Sequence, residues 1–165
     1  RLSRGLGDVY KRQNEQFDQE LTWDYIKWLK KEWGGITILK GIMDVEDAQI
    51  ALSLGVEGII VSNHGGRQLD GTLSSILALE KITKICGSKL EVYLDGGVRS
   101  GTDLVKAKAL GAKAIFVGRP YLYGLSAMGS EGVKAMVNIF QKEMDITLAL
   151  CGETNINNLS TKNIV

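Results

Sequence analysis

Four times along the chain a short apolar run gives way to a stretch with helical spacing. ITILKG (36–41) is apolar and β-branched without alternation, as expected of a strand covered on both faces. VEGIIVSN (56–63), LEVYLDGG (90–97) and AKAIFVGR (112–119) read as three further strands. Between and after them come VEDAQIALSLG, SSILALEKITKIC, GTDLVKAKALG and a long helix within EGVKAMVNIFQKEMDITLALCG. Val45, Ala48, Ala51 and Leu52 share one face of the first of these, and Gly55 stops it. Ile76, Leu79 and Ile82 share a face of the second. A further amphipathic helix is expected within 17–34, with Leu21, Tyr25, Trp28 and Leu29 on one stripe ahead of Gly34 and Gly35.

The polar residues at the ends of these strands, Lys40, His64, Asp95 and Arg119, follow one another at intervals of 24, 31 and 24 residues. That is the pitch of a β/α repeat, and four such units in a row make a parallel sheet. Two architectures hold such a sheet. An open doubly wound fold would carry a glycine fingerprint after its first strand, but the loop there reads KGIMD. A barrel instead gathers polar groups at the C-terminal ends of several strands and binds phosphate with the loops after its last two. The expected fold is therefore α/β, the C-terminal half (strands 5–8) of a TIM (β/α)8 barrel.

Composition changes this picture little. The chain has 165 residues, 44 % hydrophobic and 24 % charged, an ordinary globular balance. Cys86 and Cys151 lie far apart, with no CxxC spacing, which argues against a metal site or a disulfide framework and fits a cytoplasmic location. No run approaches the roughly 20 apolar residues of a membrane span, so the expected protein is soluble or peripheral to a membrane. Residues 1–13, RLSRGLGDVYKRQ, hold four basic residues and one acid and have no structural period. The codons GAT GTG TAT AAG AGA CAG would encode Asp8 to Gln13 and match a transposon end used in sequencing-library preparation. The segment is read as an adapter scar and residues 14–165 as the half barrel, the alternative being a basic N-terminal arm. Without it the formal charge passes from +1 to −2, and nothing in that balance calls for nucleic acid.

On a barrel the strand ends face one cavity, which would hold Lys40, His64, Arg67, Asp95, Arg99 and Arg119. DGGVRSG after the third strand offers backbone N–H groups at a helix N-terminus, where an anion is favoured. Arg119 brings a guanidinium fork to the same place. Together they read as a site for a phosphorylated ligand. One strand earlier, in SNHGGRQLDG (62–71), a histidine can take a proton near neutral pH and an arginine can clamp a carboxylate. Lys40 adds a fixed positive charge beside any group that becomes anionic.

LKGIMDVEDAQIALSLGVEGIIVSNHGGRQLDG and VYLDGGVRSGTDLVKAKALGAKAIFVGRPYLYGL resemble the C-terminal half of the FMN-dependent 2-hydroxy acid dehydrogenases and oxidases. That family includes glycolate oxidase, flavocytochrome b2, mandelate dehydrogenase and L-lactate dehydrogenase, and the resemblance runs through residues 22–165. It implies FMN as cofactor and oxidation of an (S)-2-hydroxy acid, L-lactate or similar, to the 2-oxo acid. By position it implies His64 as the catalytic base and Arg67 as the ligand of the substrate carboxylate. It implies flavin contacts from Lys40 and Ser62, and phosphate contacts from Asp95, Gly96, Gly97, Val98, Arg99, Gly118 and Arg119.

The resemblance also implies a homo-oligomeric parent. The electron acceptor, whether quinone, cytochrome or oxygen, stays open. The family's remaining site residues, an aspartate paired with the histidine and tyrosines that meet the substrate, belong to the first half of its barrel. The chain alone is therefore expected to be an inactive fragment. Two other readings stand beside this one: a half-barrel binding module without catalysis, and a different FMN- or phosphate-binding barrel enzyme.

Overall fold

A computed structural model of the chain describes residues 20–164; the scar read in residues 1–13 lies outside them, as does the start of the helix expected from residue 17. The chain divides into two compact units at Gly35 and Ile36.

In the first unit, helix α1 (Trp23–Trp33) stops at Gly34, whose φ of 62° lets its N–H reach the Lys30 carbonyl. Burial differs from the expected stripe. Leu21, Tyr25 and Trp28 are exposed, Leu29 is partly so, and Ile26 is the buried residue of the helix. Leu21 precedes the helix, whose N-cap is Thr22, and the Tyr25 and Trp28 rings pack on each other with centroids 5.1 Å apart. Their apolar surface is thus shared between themselves on the outside of the helix.

In the second unit, strands β1 (Ile38–Lys40), β2 (Gly58–Ser62), β3 (Glu91–Asp95) and β4 (Ile115–Phe116) form one sheet in chain order, every neighbour parallel. Helices α2 (Val45–Ser53), α3 (Ser75–Cys86), α4 (Gly101–Ala109) and α5 (Arg119–Leu150) follow the strands in turn. A doubly wound sheet reverses its strand order at a switch point. This sheet has no reversal, so it is an arc of a barrel.

The register separates two faces, because side chains alternate along each strand. Leu39, Ile59 and Val92 lie side by side, as do Val61, Leu94 and Ile115. This is the helix-covered face: Ile59, Val61 and Leu94 are buried, together with Ala48 and Ala51 of α2, Leu79 and Ile82 of α3, and Val105 of α4. Ile76, expected on the inner stripe of α3, is only half-buried, and Ala78 and Cys86 complete that stripe. Burial also pushes the Cys86 thiol pKa up, against the pull of Lys89.

The opposite face carries the rows Lys40–Ile60–Tyr93 and Ser62–Asp95–Phe116. It is open, with Ile38 and Phe116 exposed at 45 % and 47 %. The expectation that ITILKG is covered on both faces is corrected accordingly: β1 pairs with β2 alone, and no opposing layer covers Ile38 among the described residues.

Caps fix where the helices begin. The Asp44 carboxylate accepts the Glu46 N–H at 2.7 Å at the head of α2, and Ser100 accepts the Asp103 N–H at 3.2 Å at the head of α4. The last helix begins earlier than its amphipathic pattern suggests. It opens at Arg119 with Pro120 in its first turn, and is interrupted at Met128 and Gly129, where φ is −144° and 61°. Gly124 and Gly132 let the two halves of the helix approach so closely that a Cβ on Gly132 would strike the Gly124 carbonyl.

Candidate active site

The C-terminal ends of β1, β2 and β3 place Lys40, Ser62 and Asp95 on the open face. The Ser62 hydroxyl donates to Asp95 Oδ2 at 2.7 Å, and Lys40 Nζ lies 2.9 Å from the same oxygen and 3.3 Å from Ser62 Oγ. The His64 backbone N–H donates to Ser62 Oγ at 3.1 Å. Burial alone would raise the Asp95 pKa. Hydrogen bonds from Lys40 and Ser62, the Lys40 charge and the Gly96 N–H outweigh it and hold the carboxyl below its ordinary value.

His64 stands two residues beyond the end of β2, at the head of a 3-10 turn (His64–Gly66) rather than at the strand end itself. Its φ of 56° makes it the one positive-φ residue other than glycine among those described. Such a conformation costs on the order of 1–3 kcal/mol and persists only where its surroundings enforce it. Here they do. Asn63 Oδ1 accepts the Gly65 N–H at 3.0 Å, Ser75 Oγ accepts the Asn63 N–H at 3.2 Å, and Gly65 and Gly66 continue the left-handed turn.

After β3, Gly96 has a φ of 94°, and a Cβ on it would lie 3.0 Å from both Asn63 Oδ1 and Ser75 Oγ. Only glycine lets the two loops pass so closely. Gly97, with φ of 80°, faces open space. Carboxylates and a hydroxyl already take three N–H groups at the head of α4. Asp103 accepts the Arg99 N–H at 2.9 Å, Glu143 of α5 accepts the Gly101 N–H at 2.7 Å, and Ser100 takes that of Asp103. The parts left open toward an anion are therefore the Gly97 turn and the start of α5. There the N-cap, Gly118, has no side chain and faces open space.

One cavity of about 740 Å³ gathers these groups, within the range of roughly 300–1,000 Å³ that holds small ligands. Lys40, His64, Arg67, Asp95, Gly96, Gly97, Val98, Arg99, Gly118 and Arg119 all line it. The Arg119 guanidinium reaches the histidine loop, 3.4 Å from where a Cβ on Gly65 would stand. Ser62, the remaining candidate, is buried and lines a smaller cavity of about 440 Å³ that shares Lys40 and His64 with the first. Among the described residues no side chain forms a hydrogen bond or ion pair with the His64 imidazole. Pattern reading missed Ser75, which with Asn63 shapes the histidine loop, and Phe116, Tyr121 and Met136, which wall the cavity. The Asn-His-Gly-Gly order marks Asn63, since asparagine ahead of glycines builds turns through its own side chain.

The fold and the cavity define a barrel segment whose strands' C-terminal ends open on a cavity lined by cationic side chains and glycine turns. The chain matches the model of the FMN-dependent dehydrogenases over residues 3–165, and it belongs to that family, whose cofactor is FMN. It is 44 % identical over 155 residues to an L-lactate dehydrogenase of Caulobacter sp. (strain K31), covering 94 % of this chain and 41 % of that one. It is 46 % identical over 149 residues to an L-lactate dehydrogenase of Pseudomonas syringae pv. syringae (strain B728a), covering 90 % and 39 %.

Among solved structures, the recombinant flavin-binding domain of baker's yeast flavocytochrome b2 superposes with a TM-score of 0.83 at 41 % identity, over 88 % of this chain and 38 % of that one. The monotopic membrane protein (S)-mandelate dehydrogenase gives 0.87 at 37 %, over 96 % and 42 %. The chain thus spans about two-fifths of the length of the curated relatives it matches. Its four strands are the C-terminal half of a TIM barrel. No described helix is long and apolar enough to cross a membrane.

Proposed function

We propose that this chain supplies the C-terminal part of an FMN site for oxidising an (S)-2-hydroxy acid, L-lactate or a close analogue, to its 2-oxo acid. One observation carries the reading. In a chain of the FMN-dependent family, Lys40, His64, Arg67, Arg99 and Arg119 converge from four separate strand ends on a single cavity. Its phosphate end would be held by the Gly96–Gly97 turn, Arg99, Gly118 and Arg119. That part fits an anion, since Gly97 and Gly118 face open space and the first turn of α5 has no side-chain cap. Lys40 and Ser62 would face the isoalloxazine, the ammonium stabilising negative charge there.

Arg67 would bind the substrate carboxylate with its two-pronged guanidinium. His64 would take a proton from the substrate, from the hydroxyl in a hydride route or from the α-carbon in a carbanion route. Bound FMN supplies the redox chemistry. The His64 imidazole, without a hydrogen-bonded orienter among the described residues, supports the inference that turnover needs further protein around this segment. Quinone, cytochrome and oxygen remain the alternative acceptors, and a cytoplasmic or peripheral membrane location is part of the same proposal.

The test is anaerobic mixing of the FMN-loaded chain, alone and joined to the N-terminal portion of the Caulobacter relative, with L-lactate, glycolate and mandelate. The joined protein is expected to bleach its flavin with L-lactate, and the chain alone is expected not to. If neither form bleaches with any 2-hydroxy acid, the function is wrong. If the chain alone bleaches, the activity stands and the requirement for further protein falls.

A further inference from the structure

Ser75 opens α3 and is buried, yet it lines neither the large cavity nor the smaller one beside it. Its contacts give it a connecting place. Ser75 Oγ accepts the N–H of Asn63, twelve residues earlier in the chain, at 3.2 Å. The Asn63 side chain then holds the loop between them from within: Oδ1 accepts the Gly65 N–H at 3.0 Å, and Nδ2 donates to the Leu73 carbonyl at 3.4 Å. The loop that carries His64 and Arg67 is thereby closed at its base and tied to the head of a helix. The support is firm, because Ala78, Leu79 and Ile82 of that helix are buried in the core.

From the other side the Gly96 turn comes up against the same groups. A Cβ on Gly96 would lie 3.0 Å from Ser75 Oγ and from Asn63 Oδ1, and 3.7 Å from the Gly65 nitrogen. A side chain at position 75 must therefore be short enough for Gly96 to pass, and must offer an acceptor to a backbone N–H. Serine meets both conditions, whereas alanine would leave the Asn63 N–H without this partner.

We propose that Ser75 is a positioning residue that holds the loop of His64 and Arg67 in its left-handed turn and seats it against the Gly96–Gly97 turn. An anion at the glycine turn then steadies the loop, so that filling the phosphate end orders the substrate end. Ordering by a first ligand lowers the entropy cost of binding a second. This coupling rests on the reading of the glycine turn as the phosphate end; the hold on the loop does not.

Amide hydrogen exchange on the full chain tests both parts without turnover. Ser75→Ala should speed exchange at Asn63 and Gly65 by about three- to tenfold, the worth of one hydrogen bond, beyond any change at Ile60 and Val61 in β2. Ser74→Ala, one residue earlier and without a side-chain bond at the helix head, should change neither. Equal loss of protection in loop and strand would mean a general loss of stability, and that result, or an unchanged Gly65, overturns the positioning role.

Inorganic phosphate is then titrated, with the Gly97 amide signal reporting its binding. In the parent, saturation should slow exchange at Gly65 by about fivefold, the low end of couplings between sites. In Ser75→Ala the slowing should vanish while Gly97 still reports binding. Equal slowing in both proteins, or none in the parent at saturation, overturns the coupling. If Gly97 reports no binding in the parent, the phosphate reading of the turn fails, and exchange without phosphate still decides whether Ser75 positions the loop.

Discussion

Asp95 is charged on a face that also carries Ile60 and Phe116, and the energetics of that charge set a pH dependence. Burial works to raise its pKa, and Lys40, Ser62 and the Gly96 N–H together bring it below the ordinary value. A carboxyl lowered in the fold stabilises the fold fully above its unfolded pKa of about 3.9, and that contribution is lost as pH falls through the folded value. Because the Lys40 side chain is 44 % exposed, solvent screening keeps the contribution to about 1 kcal/mol or less.

Urea midpoints of the chain and of Asp95→Asn should therefore differ by a constant amount from about pH 7 to about pH 5, with the parent more stable. The gap should close below about pH 4. A gap that persists there would mean that shape rather than charge holds the cluster. At this scale the sequence was legible where chemistry and position coincide: Lys40 and Arg119 are unusual at the ends of apolar runs, Arg67 stands in the glycine-rich loop after one, and all three line the cavity. Ser75 was not legible, because serine occurs in any loop. Its importance appears only when the Gly96 turn is seen to pass so close that a Cβ on it would stand 3.0 Å from both Asn63 Oδ1 and Ser75 Oγ.

Elements were easiest to read where one face is apolar and a cap stands at the head. α2 and α4 meet both conditions, with Asp44 and Ser100 in place. β4 is shorter than its apolar run, two residues in place of eight, because it pairs only with β3 and its pairing begins at Ile115. The first half of α5 escaped notice for another reason. RPYLYGLSAMG has apolar residues on every side and two glycines, so no stripe marks it as a helix.

The packing of α4 against the second half of that helix depends on Gly101. A Cβ there would strike the Phe140 carbonyl and stand 2.5 Å from Met144 N, while the Gly101 N–H is held by Glu143 at 2.7 Å. Neither neighbour is the free end of a flexible side chain; the first two are helix backbone. Gly101→Ala should therefore destabilise the fold by about 1–3 kcal/mol, the usual range for overpacking, despite alanine's better helix propensity. A denaturant midpoint equal to or above that of the parent would show that α4 can move away from α5 without loss.

At the scale of the whole molecule the controlling fact is a sheet with one covered face and one open face. Periodicity along the chain reveals the number and direction of the strands but not which face is covered. That depends on how far the sheet curves and what lies across it. Among the described residues β1 and β4 each have one strand neighbour, which leaves the outer edge of each without a strand partner, and Ile38 and Phe116 stand exposed on the open face. Unpaired strand edges and contiguous apolar surface both favour association with other chains. Burial of apolar area gives about 25 cal/mol per Å², so a shared face of even a few hundred Å² stabilises a dimer by several kcal/mol before the entropy of association is subtracted. The chain should accordingly sediment with a concentration-dependent mass. A double variant, Ile38→Lys and Phe116→Lys, should shift it toward the monomer. Both side chains are already about half exposed and lie on the face opposite Ile59, Val61 and Leu94, so the core is untouched and stability should change little. Sedimentation of parent and variant over a range of concentrations decides the matter. If both associate equally, contacts elsewhere drive assembly, and the exposed apolar side chains of α5, Leu125 and Val137 among them, become the surface to change next.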